Sequence, residues 1–129
     1  MCLYLNSKAN ADQKPFIAKI DIKVWKVLIK RDTGYYSGIR DFEYEKGFHY
    51  YEEEPLKVLQ YMWESRCRIS VGLHGFTKKE SAVKYKHLLS TPTLKLIIVQ
   101  MIVPKGANYY RGKDDEGLQT IVSDQLIWY

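Results

Sequence analysis

The sequence predicts an α+β fold, a mainly antiparallel, twisted sheet of five to seven strands with two short helices, and three observations carry that prediction. The run Leu94–Val103 is apolar on both faces of an extended chain. Ile97, Ile98 and Val99 are β-branched, and Met101, Ile102 and Val103 follow a single Gln100, as a central strand covered on both sides requires. Short segments alternating apolar and polar residues fill much of the remaining chain. Helical signals occur only at Pro55–Ser65 and Lys78–Leu89. Strand and helix therefore do not alternate, which argues against a parallel α/β sheet.

Taken in order, Cys2-Leu3-Tyr4-Leu5 reads as a short opening strand, and the segment from Asn6 to Pro15 as a polar loop. From Ile17 to Ile29 the apolar residues alternate as Ile20, Ile22 and Val24 and then, out of phase, as Trp25, Val27 and Ile29. This pattern predicts a strand with a bulge, or two strand pieces meeting, near Trp25. Lys19, Lys23, Lys26 and Lys30 fall between them as a polar face. Asp32-Thr33-Gly34 is a turn, and Glu45-Lys46-Gly47 between two aromatic segments predicts a hairpin with Gly47 in the left-handed position. Glu52-Glu53-Glu54-Pro55 predicts a helix start, with Leu56, Leu59 and Trp63 on one face. Cys67, Ile69 and Val71 share a strand phase. Thr77-Lys78-Lys79-Glu80 has the spacing of a capping box for a second helix whose Ala82, Tyr85 and Leu89 share a face, ended by Ser90-Thr91-Pro92. Pro104 and Gly106 predict a tight turn after the central strand. The segment from Arg111 to Gly117 reads as a charged loop, and Leu118–Tyr129 as a closing strand interrupted at Ser123-Asp124-Gln125.

A length of 129 residues, 46% of them hydrophobic, predicts one domain, residues 1–129, with a single core. No apolar run reaches the length of a membrane span and no signal-peptide pattern opens the chain, so a soluble, cytoplasmic protein is expected. Cys2 and Cys67 do not make a disulfide framework. A net charge of +5 favours an anionic partner, and eleven Tyr exceed what one core absorbs without leaving hydroxyls at the surface. The chain leaves the oligomeric state open, a homo-oligomer included.

Gly72-Leu73-His74-Gly75-Phe76 before the second helix, Ile102-Val103-Pro104-Lys105-Gly106-Ala107-Asn108-Tyr109-Tyr110, and Ile121-Val122-Ser123-Asp124-Gln125-Leu126-Ile127 occur in this order. Together with Met1–Leu5 they resemble a group of small uncharacterised proteins of gut bacteria and their phages. The resemblance brings no catalytic residue and no cofactor. It implies a setting in which small accessory proteins of phages and mobile elements, anti-defence proteins among them, bind or sequester a host component.

On the residues themselves, His49, His74, His87 and Cys67 show no paired metal-ligand spacing, so no metal site is expected. Cys67 with His74 would make a nucleophilic pair, but the strand phase of Cys67 points to burial. Two further enzymatic readings are an N-terminal nucleophile at Cys2 and an ADP-ribosyltransferase-like site, to which Leu73-His74-Gly75 is similar in three residues. Convergence favours binding instead. His74, Lys78 and Lys79 gather at the start of the second helix, whose free amides attract anions, while Lys105, Tyr109, Tyr110 and Arg111 follow the central strand and offer charge with rings for stacking. The expected function is a non-enzymatic module capturing an anionic, nucleotide-like ligand or docking on a host protein. Direct RNA or DNA binding through Lys19, Lys23, Lys26 and Lys30 is the alternative. One ligand reaches both clusters only if the strands ending near Phe76 and at Val103 run the same way.

Overall fold

The computed structural model describes residues 3–5, 14–37, 42–51, 56, 58, 67–69 and 72–129. Among them are twelve strands and one helix, more strands than predicted and one helix fewer. The strands are β1 (Leu3–Tyr4), β2 (Phe16–Ile17), β3 (Ile22–Arg31), β4 (Gly34–Ser37), β5 (Glu43–Tyr44), β6 (Gly47–Tyr50), β7 (Arg68–Ile69), β8 (Leu73–Phe76), β9 (Leu96–Val103), β10 (Asn108–Lys113), β11 (Gln119–Ser123) and β12 (Gln125–Trp128). Helix α1 spans Lys79–Leu89. Most of the predicted helix Pro55–Ser65 lies outside the described residues; Leu56 and Val58 pack against a buried cluster.

All pairings are antiparallel, in the order β6-β12-β9-β3-β8-β11-β10-β1-β7, with β2 on β10 and β4 between β3 and β5. The path closes on itself because β11 and β12 are one strand bent at Asp124, so a single segment lies beside β8 at one end and β9 at the other. Val24, Leu28, Leu73, Met101, Val103, Ile121, Leu126 and Trp128 fill the enclosed space. Outside the ring, α1 lays Ala82, Tyr85 and Leu89 on Val27, Phe76 and Ile98, the face that the helical period predicts. A second core, of Leu3, Leu5, Cys67, Ile69, Tyr110 and Val122, forms where β1 and β7 extend the sheet past β10.

Several local expectations are corrected. The register from Ile22↔Val103 to Ile29↔Leu96 is uninterrupted, so β3 is one strand, neither bulged nor divided at Trp25. Its apparent change of phase arises because both faces are covered, Val24 and Leu28 by the first core and Val27 by the helix. Lys26 falls in phase with Val24 and Leu28 and is buried, whereas Lys19, Lys23 and Lys30 are exposed. The segments around Glu45-Lys46-Gly47 do not form a hairpin: β5 pairs with β4 and β6 with β12. His49 Nε2 lies 2.7 Å from the Glu45 carbonyl oxygen and holds the bend where no ladder forms. The capping box is absent, because the helix cap is Lys78, in extended conformation and with no side-chain bond, which leaves Thr77 one position too early. The tight turn lies one residue later than predicted, with the Ala107 amide donating to the Pro104 carbonyl. The strand β10 reaches Lys113, and the charged loop shrinks to a turn in which the buried Asp114 carboxylate accepts from the amides of Glu116 and Leu118. No helix among the described residues is long and apolar enough to cross a membrane.

Candidate functional site

Seven residues carried the sequence prediction, and the sheet sorts them by alternation. Residues directly opposite across an antiparallel pair share a face. Phe76 and Thr120 therefore share one face with Gly112, and Gly75 and Ile121 share the other with Arg111. Helix α1 packs on the first of these faces, its Tyr85 ring 5.2 Å from that of Phe76. Tyr109 and Arg111 consequently lie on the face opposite the helix. Strands β8 and β9 do run the same way, since each is antiparallel to the β3 strand between them. The sheet nevertheless separates Lys78 and Lys79 from Tyr109 and Arg111, and the two clusters make two surfaces rather than one.

Two of the seven are buried. Tyr110 points into the second core at 2% exposure and offers no ring for stacking. His74 is 9% exposed, and its Nε2 has no hydrogen-bond partner among the described residues. Beside it, Lys26 Nζ donates to the His74 carbonyl and lies 4.9 Å from the centre of the Tyr44 ring. Burial pushes the Lys26 amine down to about 7. Burial and then the charge of Lys26 hold the His74 ring down at about 3. The polar node is thus internal, filling the gap where β8 leaves β3 after the single pair Trp25↔Phe76 and β4 takes over at Leu28.

At the helix start, Lys78 and Lys79 are exposed. A cleft of about 600 Å³ lies between the first turns of α1 and the turn before β11, lined by Lys78, Glu80, Ser81, Lys84 and Gly117–Gln119. Two lysines there face one carboxylate.

The other surface is the more developed. The Phe16 ring lies 5.7 Å from Tyr109, tilted by 34°, because β2 pairs with β10 in the register Tyr109↔Phe16. Two positions along β10, the Arg111 guanidinium stands 5.7 Å from the centre of the same Tyr109 ring. Phe16 is 54% exposed and Arg111 exposed, while Tyr109 rests half-buried against the first core. Lys105 is exposed in the adjacent turn, its amide held by the Asp21 carboxylate at 2.9 Å and the turn closed on Ala18 by the Gly106 amide. Lys19 is exposed beside Ala18. Sequence pattern does not single out Phe16, which falls between the polar loop ending at Pro15 and the alternation beginning at Ile17; an isolated aromatic after Pro15 gives no periodic signal.

Among the described residues no group of three or more His, Cys, Asp or Glu is placed to hold a metal ion. Compared with known protein families, with curated proteins and with solved structures, the chain matches none.

Proposed function

We propose that the protein is a non-enzymatic binding module that captures an anionic, nucleotide-like ligand on the Phe16–Tyr109–Arg111 ledge. The observation that carries this reading is the succession of an exposed phenyl ring, a half-buried phenol ring and a guanidinium in one row, with Lys105 and Lys19 exposed in the adjoining turns. Flat aromatic and guanidinium surfaces take a base by stacking, worth ~1–3 kcal/mol per base, and the flanking cations take its phosphates. The setting implied by the sequence resemblance, an accessory and anti-defence role against a host, agrees with capture rather than turnover.

Direct binding of long RNA or DNA through the β3 lysines has less support, because Lys23 and Lys30 alternate to opposite faces and Lys26 is inside. The ADP-ribosyltransferase-like reading loses its accessible histidine. Docking on a host protein remains the competing use of this region, where Ile17, on the face of β2 opposite Phe16, and Ile20 are exposed at 64% and 72%.

A thermal-shift screen against mononucleotides, cyclic nucleotides and ADP-ribose tests the proposal. A ligand at a hundred times its dissociation constant stabilises by ~2.7 kcal/mol. Tyr109→Ala and Arg111→Ala are expected to weaken binding at least ~10-fold, in line with the loss of one stacking or charged contact, and Lys78→Glu to leave it unchanged. Absence of stabilisation by every nucleotide class would overturn the ligand reading. Loss of binding in Lys78→Glu alone would move it to the helix cleft.

A further inference from the structure

The cleft at the start of α1 lies on the other face of the sheet from the Phe16–Tyr109–Arg111 row, and its chemistry does not depend on that row. Both of its walls are fixed. The Thr77 amide donates to the Gln119 carbonyl at 3.3 Å and sets the helix start against the start of β11. Opposite, the Asp114 carboxylate accepts from the amides of Glu116 and Leu118 at 3.0 and 2.8 Å and shapes the turn that brings Gly117 into the lining. Asp115 and Glu116 are exposed in the same turn but do not line the cleft.

Lys78 caps the helix with no side-chain bond, and its carbonyl takes the amides of Ser81 and Ala82 at 3.2 and 3.4 Å. The amides of Lys79 and Glu80 have no acceptor among the described residues, as a first turn without a capping side chain leaves them. Ser81 adds a side chain to these amides. It lines the cleft at 8% exposure, and its hydroxyl makes no hydrogen bond among the described residues. A hydroxyl so enclosed ordinarily finds a partner, so its open valence points to a group that enters the cleft. Lys78 and Lys84 set two positive charges against the one carboxylate of Glu80, and the positive end of the helix dipole adds to them.

We propose that this cleft is a phosphate site, taking free phosphate or the phosphate end of a monoester. The amides of Lys79 and Glu80 and the Ser81 hydroxyl donate to its oxygens, and Lys78 and Lys84 balance its charge. Two backbone donors, a hydroxyl and two ammonium groups ask for acceptors on several sides at once, which a tetrahedral oxyanion supplies and a planar carboxylate does not. The volume of about 600 Å³ exceeds one phosphate group, and Leu118, packed against the cluster under the helix, offers an apolar wall for the organic part of a monoester. The Glu80 carboxylate opposes the anion and limits its affinity.

Backbone amide shifts followed by NMR at fixed ionic strength, during titration with inorganic phosphate, glycerol phosphate or chloride, test the assignment. The amides of Lys79, Glu80 and Ser81 are expected to shift saturably with phosphate or its monoester and not with chloride. Tighter binding of glycerol phosphate assigns the site to a monoester, and equal or weaker binding assigns it to the free ion. Ser81→Ala is expected to weaken binding ~10-fold. Its melting temperature is not expected to fall, because the hydroxyl makes no bond within the fold and Ala is the better helix former. Glu80→Gln is expected to tighten binding ~2–5-fold by removing the opposing charge, a change that a merely structural role would not produce. Arg111→Ala is expected to leave phosphate binding unchanged, so failure of this site and failure of the nucleotide ledge are read separately. No saturable shift with either phosphate, or an affinity unchanged in both Ser81→Ala and Glu80→Gln, overturns the proposal.

Discussion

Lys26 sets the acid–base behaviour of the fold. A buried amine whose partners among the described residues are a carbonyl and a ring face is held uncharged in the folded chain more readily than in the unfolded one. With the folded amine at about 7 against 10.5 unfolded, the unfolded chain binds more protons between those values, so stability rises as pH rises from 7 toward 10.5. His74 acts with the same sign at lower pH. Its folded value of about 3 against 6.5 means that stability falls as pH drops through 6.5. Replacing a buried, unpaired charge by an apolar side chain of similar length removes that penalty. Lys26→Met is therefore expected to raise the melting temperature at pH 7 and to flatten its rise between pH 7 and 10. Melts across that range check this, and an unchanged slope would refute the assignment.

At the scale of the element, two junctions control how the strands meet. Asp124 bends the closing strand, accepting from Asn108 N and Nδ2, both at 3.0 Å, while its own carbonyl accepts the Tyr51 amide. Asp124→Ala leaves two donors without their acceptor and is expected to cost ~1–3 kcal/mol, measured by urea unfolding. The closeness of β1 to β10 makes Gly112 the second junction. A Cβ there would stand 2.1 Å from the Tyr4 carbonyl oxygen and 2.6 Å from Leu3 Cδ2. Gly112→Ala must push β1 away and is expected to lower stability by ~1–3 kcal/mol or more through overpacking. At Gly106 a Cβ meets nothing, and only its φ of +92° resists substitution. Gly106→Ala is thus expected to cost about 1 kcal/mol, the smaller loss of the pair. Equal losses would contradict the close-approach argument.

For the molecule as a whole, the pairings that close the sheet are long-range. The β3–β9 ladder joins the first third of the chain to the last, and β1 pairs with β10. Such topologies pay loop-closure entropy before contacts repay it, and refolding is expected on the millisecond-to-second scale in stopped-flow fluorescence. Sub-millisecond folding would be incompatible with this order of events. Among the described residues, the same closure leaves the Phe16–Tyr109–Arg111 row as an exposed aromatic surface.

Amino-acid pattern alone determined the antiparallel, β-rich class, the central strand, predicted over Leu94–Val103 and found at Leu96–Val103, the interruption predicted at Ser123-Asp124-Gln125 and found at Asp124, and the buried face of the helix through Ala82 and Tyr85. These rest on local period and on residue type, which neighbours along the chain suffice to express. Strand partners, and with them the site, were decided by the tertiary structure. That β5 and β6 separate, that Lys26 points inward, that His74 and Tyr110 are enclosed, and that Phe16 reaches Tyr109 all depend on which strands lie side by side. Alternation assigns a residue to one of two faces; only the pairing of distant strands settles which face is covered and which meets water.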